Sequence, residues 1–316
     1  MKTQGIETIA IIGTGMIGAS MAALFTGNGY KTIMYGINET ELKNGLTNFN
    51  NNYDDLEKKG LVSSKQAAAA KARLKTTQSY QDLADADFIF ECVVEKLEIK
   101  HSVYGEVEKY CSNFKAIVSS SSAISTDDLC KGLSKFPERM AVAHPYNPPH
   151  LVPCIEIVKG EQTAKEALDV IYSVMESCGR APVLMNKSAP GFIANRLQHA
   201  LYREAVYMVE QGIASPQDID KALMTSFAPR YTSIGLFQHF DYAGLDMIKS
   251  IHDYLFPDLC NAKTTQDLLE NAIKTGNLGC KTGQGVLDWT NVDMDEFRRK
   301  AAAPYLQFFN WSLPED

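Results

Sequence analysis

The chain has 316 residues, 45% of them hydrophobic, which is enough for a substantial core. Its formal net charge of −7 argues against general nucleic-acid binding, which calls for a basic face. Seven cysteines (92, 111, 130, 154, 178, 260 and 280) show no Cys-x-x-Cys spacing. Their odd number and scatter speak against a disulfide framework or a metal site, and for reduced thiols in a cytoplasmic protein. The opening residues lack signal-peptide architecture, and no apolar run reaches membrane-spanning length, so no membrane partner is expected.

Taken in order, residues 6–12 are a short apolar strand, 16–28 a helix of small and apolar residues, and 31–35 a second strand. A helix begins near residue 39, another covers 66–73, and 74–76 reads as a strand. Residues 87–94 form a buried strand, 97–110 a helix, 116–119 a strand and 126–133 a helix with Asp127 and Asp128 in its first turn. Two apolar strands around His144 and Glu156 follow, then a helix at 163–177 and a strand at 181–184. This alternation implies an α/β fold, a doubly wound and mostly parallel sheet covered by helices, over residues 1–187. Strand signals then almost vanish. Pro190-Gly191 opens a long helix to about residue 211, Ser215-Pro216 caps another, and further helices are predicted at 242–255 and 265–275. Residues 188–316 are expected to form an all-helical domain.

Gly13-Thr14-Gly15-Met16-Ile17-Gly18 follows a strand and precedes a helix, the setting in which G-x-G-x-x-G marks a dinucleotide site. Gly13 permits the tight turn, Gly15 admits the pyrophosphate, and Gly18 lets helix and strand pack, with the helix N-terminus as positive pole. The second strand of such a unit normally ends in an acid for the ribose. Gly36 stands there instead. NAD is the expected cofactor with NADP not excluded; Asn38 is a candidate ribose contact and Lys43 a weak candidate for a 2′-phosphate.

His144 ends one apolar strand, and Glu156 lies twelve residues on inside another, with a proline-rich link between. That arrangement can return the carboxylate to the imidazole. A buried carboxylate needs such a partner, and the pair makes a base suited to neutral pH. A satisfied structural pair is the competing reading. His101, His150, His199, His239 and His252 have no comparable setting and are read as surface or structural.

Further motifs are Glu91-Cys-Val-Val-Glu95-Lys-Leu-Glu-Ile-Lys100, the serines at 119–122, His144-Pro-Tyr-Asn147-Pro-Pro, Pro190-Gly-Phe-Ile-Ala-Asn195-Arg-Leu-Gln, Gly212-Ile-Ala-Ser-Pro-Gln-Asp-Ile-Asp220 and Gly279-Cys-Lys281-Thr-Gly-Gln-Gly285. In this order they resemble the L-3-hydroxyacyl-CoA dehydrogenase family over essentially the whole chain, nearest in look to its lambda-crystallin and L-gulonate 3-dehydrogenase branch. The resemblance implies a Rossmann-type N-terminal domain and hydride transfer between a 3-hydroxyacyl group and its 3-keto form. His144 is then the base and Glu156 its partner, with Ser122 and Asn195 as polar contacts to the substrate oxygen. Glu95, Lys100, Ser122, Asn147 and Lys281 match positions lining the cofactor site. The resemblance also implies a helical domain that dimerises.

Two substrates remain open on the sequence. A coenzyme A thioester calls for lysines near the cleft, and Lys58, Lys59, Lys65, Lys71, Arg73 and Lys75 are available. A small free 3-hydroxy acid needs one carboxylate anchor, for which Arg230 is the candidate and Arg196 lies beside Asn195. A non-catalytic, lambda-crystallin-like nucleotide-binding protein is the reading from a different class.

Overall fold

A computed structural model describes residues 2–315. Strand β1 (Thr8–Ile12) is buried from Ile9 to Ile12 and leads through the glycine turn into α1 (Met16–Gly27). Every residue of α1 from Gly18 to Gly27 is buried, because the helix packs on the sheet and is covered from outside by other helices. The order continues β2 (Lys31–Tyr35), α2 (Glu39–Lys58), α3 (Ser64–Lys71), β3 (Leu74–Thr77), β4 (Phe88–Glu91), α4 (Leu97–Tyr110), β5 (Ala116–Ser119), α5 (Thr126–Cys130), β6 (Met140–Pro145), β7 (Cys154–Lys159), α6 (Lys165–Ser177) and β8 (Ala181–Met185). Helix starts carry the expected side-chain caps: Asn38 accepts from Glu41 N, Ser63 and Gln66 form a capping box, and Ser125 accepts from Asp128 N.

The strands form one eight-stranded sheet in the order β3-β2-β1-β4-β5-β6-β7-β8. Neighbours from β3 to β6 pair in parallel, β7 pairs antiparallel with β6, and β8 runs parallel to β7. The strand order reverses between β1 and β4, so a crevice opens beyond their carboxyl ends. The mostly parallel α/β sheet expected from the sequence is the one observed.

Several expectations change. The strand predicted over 87–94 stops at Glu91, where Glu91 Oε1 accepts from Val93 N at 2.7 Å and turns the chain out of the sheet. The helix predicted from Pro190 begins at Ala194 as α7 (Ala194–Glu210), because Gly191 and Phe192 have φ of 76° and 47°, which no right-handed helix accommodates. The chain also divides elsewhere than at residue 188. One compact unit holds the residues up to Ile193 together with those from Arg298 onward, and Ala194–Phe297 form the other. The C-terminal segment belongs to the first unit for a packing reason. Trp311 is buried against Tyr53, Ser312 N donates to Asn28 Oδ1 at 2.9 Å, and Leu313 N donates to Gly27 O at 2.9 Å.

The second unit is helical: α7, α8 (Pro216–Thr225), α9 (Leu236–Ala243), α10 (Leu245–Leu255), α11 (Asp267–Lys274) and the start of α12 (Met294–Leu306). The helix predicted at 242–255 is broken at Gly244, whose φ of 94° ends α9 and starts α10. Among the described residues no helix is long and apolar enough to cross a membrane.

Candidate active site

β6 and β7 place His144 directly opposite Glu156, so both side chains leave the same face of the sheet. His144 Nδ1 lies 3.0 Å from Glu156 Oε2. Glu156 is 1% exposed, and a carboxylate so deeply buried needs donors. It has them: besides His144, Tyr146 Oη donates to Oε2 at 2.7 Å and Ile193 N donates to Oε1 at 2.8 Å. The Nδ1–H donated to the carboxylate fixes the imidazole tautomer and leaves the Nε2 lone pair to accept a proton. Tyr146 and Phe192 stand edge-on to the imidazole, with ring centroids 5.0 and 5.2 Å away. Sequence reasoning missed Tyr146 and Ile193. Tyr146 had a legible signal, since it lies two residues beyond His144 and shares its face. Ile193 acts through its backbone, which no side-chain pattern reveals.

The acidic motif after β4 is organised differently from the expectation that Glu95 and Lys100 both line the cofactor. Lys100 is fully buried, and its ammonium lies 2.8 Å from Glu91 Oε1, 3.3 Å from Glu95 Oε2 and 3.4 Å from both Ser119 Oγ and Val93 O. It therefore lies beneath the site surface, because a buried ammonium is stable only where carboxylates and hydroxyls surround it. Ser119 Oγ and Tyr104 Oη each donate to Glu91 Oε2 at 2.7 Å. Glu95 is the surface end of this network. Its Oε1 accepts from Ser121 Oγ, from Ser122 N at 3.0 Å and from Ala123 N at 3.1 Å. Partial burial raises its pKa, but the Ser121 hydroxyl, the Lys100 charge and the backbone donors outweigh this and hold it below the usual carboxylate range. The serine run sorts by exposure: Ser119 and Ser121 are buried in the network, while Ser122 faces outward. Asn147 is also exposed.

At the glycine turn, a Cβ on Gly13 would stand 2.6 Å from Cys92 O, and one on Gly18 would stand 2.2 Å from Gly13 O. These two glycines let β1, β4 and α1 approach. A Cβ on Gly15 would meet nothing within 4 Å, so the backbone there is open to a ligand at the α1 N-terminus. Met16 is exposed, Ile17 half-buried. A cavity of about 460 Å³ runs from Gly13, Thr14 and Gly15 past Tyr35, Tyr80 and Val93 to the start of α2. An extended nucleotide matches this shape, and the residues present suit a dinucleotide. Two residues expected here are placed otherwise. Asn38 Oδ1 caps α2, accepting from Glu41 N at 2.9 Å, and Lys43 is not among the cavity's lining.

Asn195, Arg230 and Lys281 belong to the second unit. Asn195 is half-buried in the first turn of α7, and Lys281 is exposed in a turn closed by Thr282 N on Gly279 O. Arg230 is exposed, and its Nη1 donates to His239 Nε2 at 3.1 Å.

Residues 8–188 match the family model for the NAD-binding domain of 3-hydroxyacyl-CoA dehydrogenase, and residues 191–289 match its C-terminal domain. The chain belongs to the 3-hydroxyacyl-CoA dehydrogenase family. Membership makes it an NAD-dependent dehydrogenase of 3-hydroxy acids or 3-hydroxyacyl groups, with a small-molecule substrate. Family members similar to it include 5-formyl-3-hydroxy-2-methylpyridine 4-carboxylate 5-dehydrogenase of Mesorhizobium japonicum, 32% identical over 90% of this chain and 91% of that one. L-carnitine dehydrogenase of Oceanobacillus iheyensis is 35% identical over 76% of each chain, and the lambda-crystallin homolog of Mus musculus 35% over 74% of each. A solved structure of 5-formyl-3-hydroxy-2-methylpyridine 4-carboxylic acid 5-dehydrogenase, described as an NAD+-dependent dismutase, superposes with a TM-score of 0.82 at 29% identity over 96% of both chains.

Proposed function

We propose that the protein oxidises a small free hydroxy acid, with His144 as the general base and Glu156 as the group that orients it and stabilises the imidazolium. The observation that carries this reading is the buried pair at 3.0 Å, with its carboxylate held by two further donors. NAD, when bound, supplies the hydride acceptor. His144 takes the hydroxyl proton at Nε2 in oxidation and returns it in reduction. Glu156 stabilises the charged ring, as a carboxylate does beside other catalytic histidines. Ser122 is the outward hydroxyl that donates to the substrate oxygen, held in place by Glu95. Asn195 is the second polar contact and Arg230 the carboxylate anchor.

A free acid is favoured over a coenzyme A thioester because four of the six basic residues named for coenzyme A phosphates already hold partners. Lys59 pairs with Asp55, Lys65 with Glu315 and Lys71 with Asp54, while Arg73 donates to Pro314 O. The similar dehydrogenases of L-carnitine and of a pyridine 4-carboxylate, neither named for a coenzyme A thioester, support the same choice. The test is a panel of L-3-hydroxy acids and their coenzyme A thioesters, followed by NADH formation. Turnover of free acids is expected to exceed that of thioesters. Turnover of thioesters alone would overturn the substrate class, and turnover of neither, with cofactor bound, would favour a binding protein.

The seven cysteines are all free, which supports the proposed cytoplasmic location. We also propose a homodimer through the helical unit, because it displays large apolar side chains such as Phe237 and Tyr242 at 84% and 91% exposure. Light scattering on the purified protein tests this.

A further inference from the structure

Gly36 occupies the place at the end of β2 where dinucleotide sites usually carry their ribose-binding acid. In the structure the Leu42 and Thr14 side chains crowd this place. A Cβ on Gly36 would stand 2.8 Å from Leu42 Cδ2 and 2.9 Å from Thr14 Cγ2, and Gly36 N is fixed on Thr77 O at 3.1 Å. Adding a carboxylate there would require the Leu42 and Thr14 side chains to give way.

The cavity nevertheless has a carboxylate at the same end. Glu41, Asn44 and Asn48 line it from α2, spaced at i, i+3 and i+7 and so on one helix face. Among the described residues lining this cavity, Glu41 is the sole charged one, and no lysine or arginine joins it. We propose that Glu41 has taken over the role of the missing acid: its carboxylate accepts from the adenosine ribose hydroxyls and repels a 2′-phosphate, so that the protein selects NAD over NADP. The chemistry is the same as that of an acid at the strand end, but it comes from the helix that follows. A carboxylate facing a phosphate of two negative charges without an intervening cation is repulsive, whereas a vicinal diol offers it two donors.

Glu41 also has a structural task, which the test must separate. Its Oε2 accepts from Ile37 N at 3.4 Å, at the long end for a hydrogen bond, as the acid of a capping arrangement. The experiment is calorimetric titration of the full chain with ADP-ribose and with 2′-phospho-ADP-ribose, which needs no substrate and no turnover. Glu41→Gln keeps the size and the accepting oxygen but removes the charge. It is expected to shrink the preference for ADP-ribose by about ten-fold or more, equivalent to ~1.4 kcal/mol, with the melting temperature nearly unchanged. Glu41→Lys is expected to raise affinity for the 2′-phosphorylated ligand outright. If both variants fold and keep the wild-type ratio, Glu41 is only a helix cap and the proposal is overturned. If the wild type binds neither ligand, the nucleotide site itself is misplaced, and the proposal falls with it.

Discussion

Glu156 binds His144 and Tyr146 through the same oxygen: Oε2 lies 3.0 Å from His144 Nδ1 and 2.7 Å from Tyr146 Oη. One buried carboxylate thus holds the imidazole on β6 and the phenol just beyond that strand, while its other oxygen takes Ile193 N. The orientation of the imidazole is set by a network, and each member can be removed separately.

Glu156→Gln preserves volume and removes the charge. A base that has lost its carboxylate forfeits most of what general acid–base catalysis contributes, so kcat is expected to fall by about 10²–10⁴-fold. Circular dichroism should be unchanged. A rate within a few-fold of wild type would mean the pair is structural.

Tyr146→Phe deletes one donor to the carboxylate and keeps the ring. Hydrogen bonds to charged groups contribute about 1.5–3 kcal/mol, and urea denaturation should show a loss in that range. A change within error would show that water or another donor replaces the phenol.

The Lys100–Glu91 pair is buried on both sides at 2.8 Å. Lys100→Met leaves Glu91 and Glu95 without their shared cation, and a loss of about 3–5 kcal/mol is expected. Adding Glu91→Leu should recover part of it. The single variant should also weaken substrate binding, because Glu95 holds the backbone of Ser122. Stability loss with an unchanged KM would uncouple the network from the site.

His150 is buried beside Ser20, and burial lowers its pKa from 6.5 to about 4. The folded value lies below the unfolded one, so the native state binds fewer protons between these limits. The stabilisation from the neutral ring is therefore complete above about pH 6.5 and is lost as the pH falls toward 4. Replacing it with glutamine removes the linkage. Wild type is expected to lose roughly 2 kcal/mol more than His150→Gln between pH 7 and pH 5 in urea titrations. Parallel losses would show that other groups govern acid unfolding.

The last segment offers a packing test. Trp311 stacks near Tyr53 and Phe309 and is 6% exposed. Trp311→Ala is expected to cost about 3–5 kcal/mol in the melting of the first unit. A shift within 0.5 kcal/mol, the scale of an ordinary surface substitution, would show that the segment is not anchored there.

Much of this was legible in the sequence because it depends on local order. Alternating apolar runs and helical stripes identified the mostly parallel sheet, glycine spacing identified the turn after β1, and two polar residues in apolar strands identified His144 and Glu156. What was not legible depends on residues distant in the chain. The burial of Lys100 follows from Glu91, Ser119 and Glu95 converging on it, which spacing along one helix does not reveal. The exposure of Ser122 rather than Ser119 or Ser121 depends on which serines the network beneath consumes.

Sequence alone therefore determined the fold class, the family and the pairing of His144 with Glu156, since periodicity, glycine sterics and motif order are properties of the chain itself. Only the tertiary structure decided which groups hold that pair, which lysines are paired with acids, and that the segment from Arg298 onward returns to the first unit. The physical reason is that burial and hydrogen-bond satisfaction are decided by what packs against a residue from elsewhere in the chain, and at Gly36 that packing, from the Leu42 and Thr14 side chains, crowds the place where the motif would otherwise carry an acid.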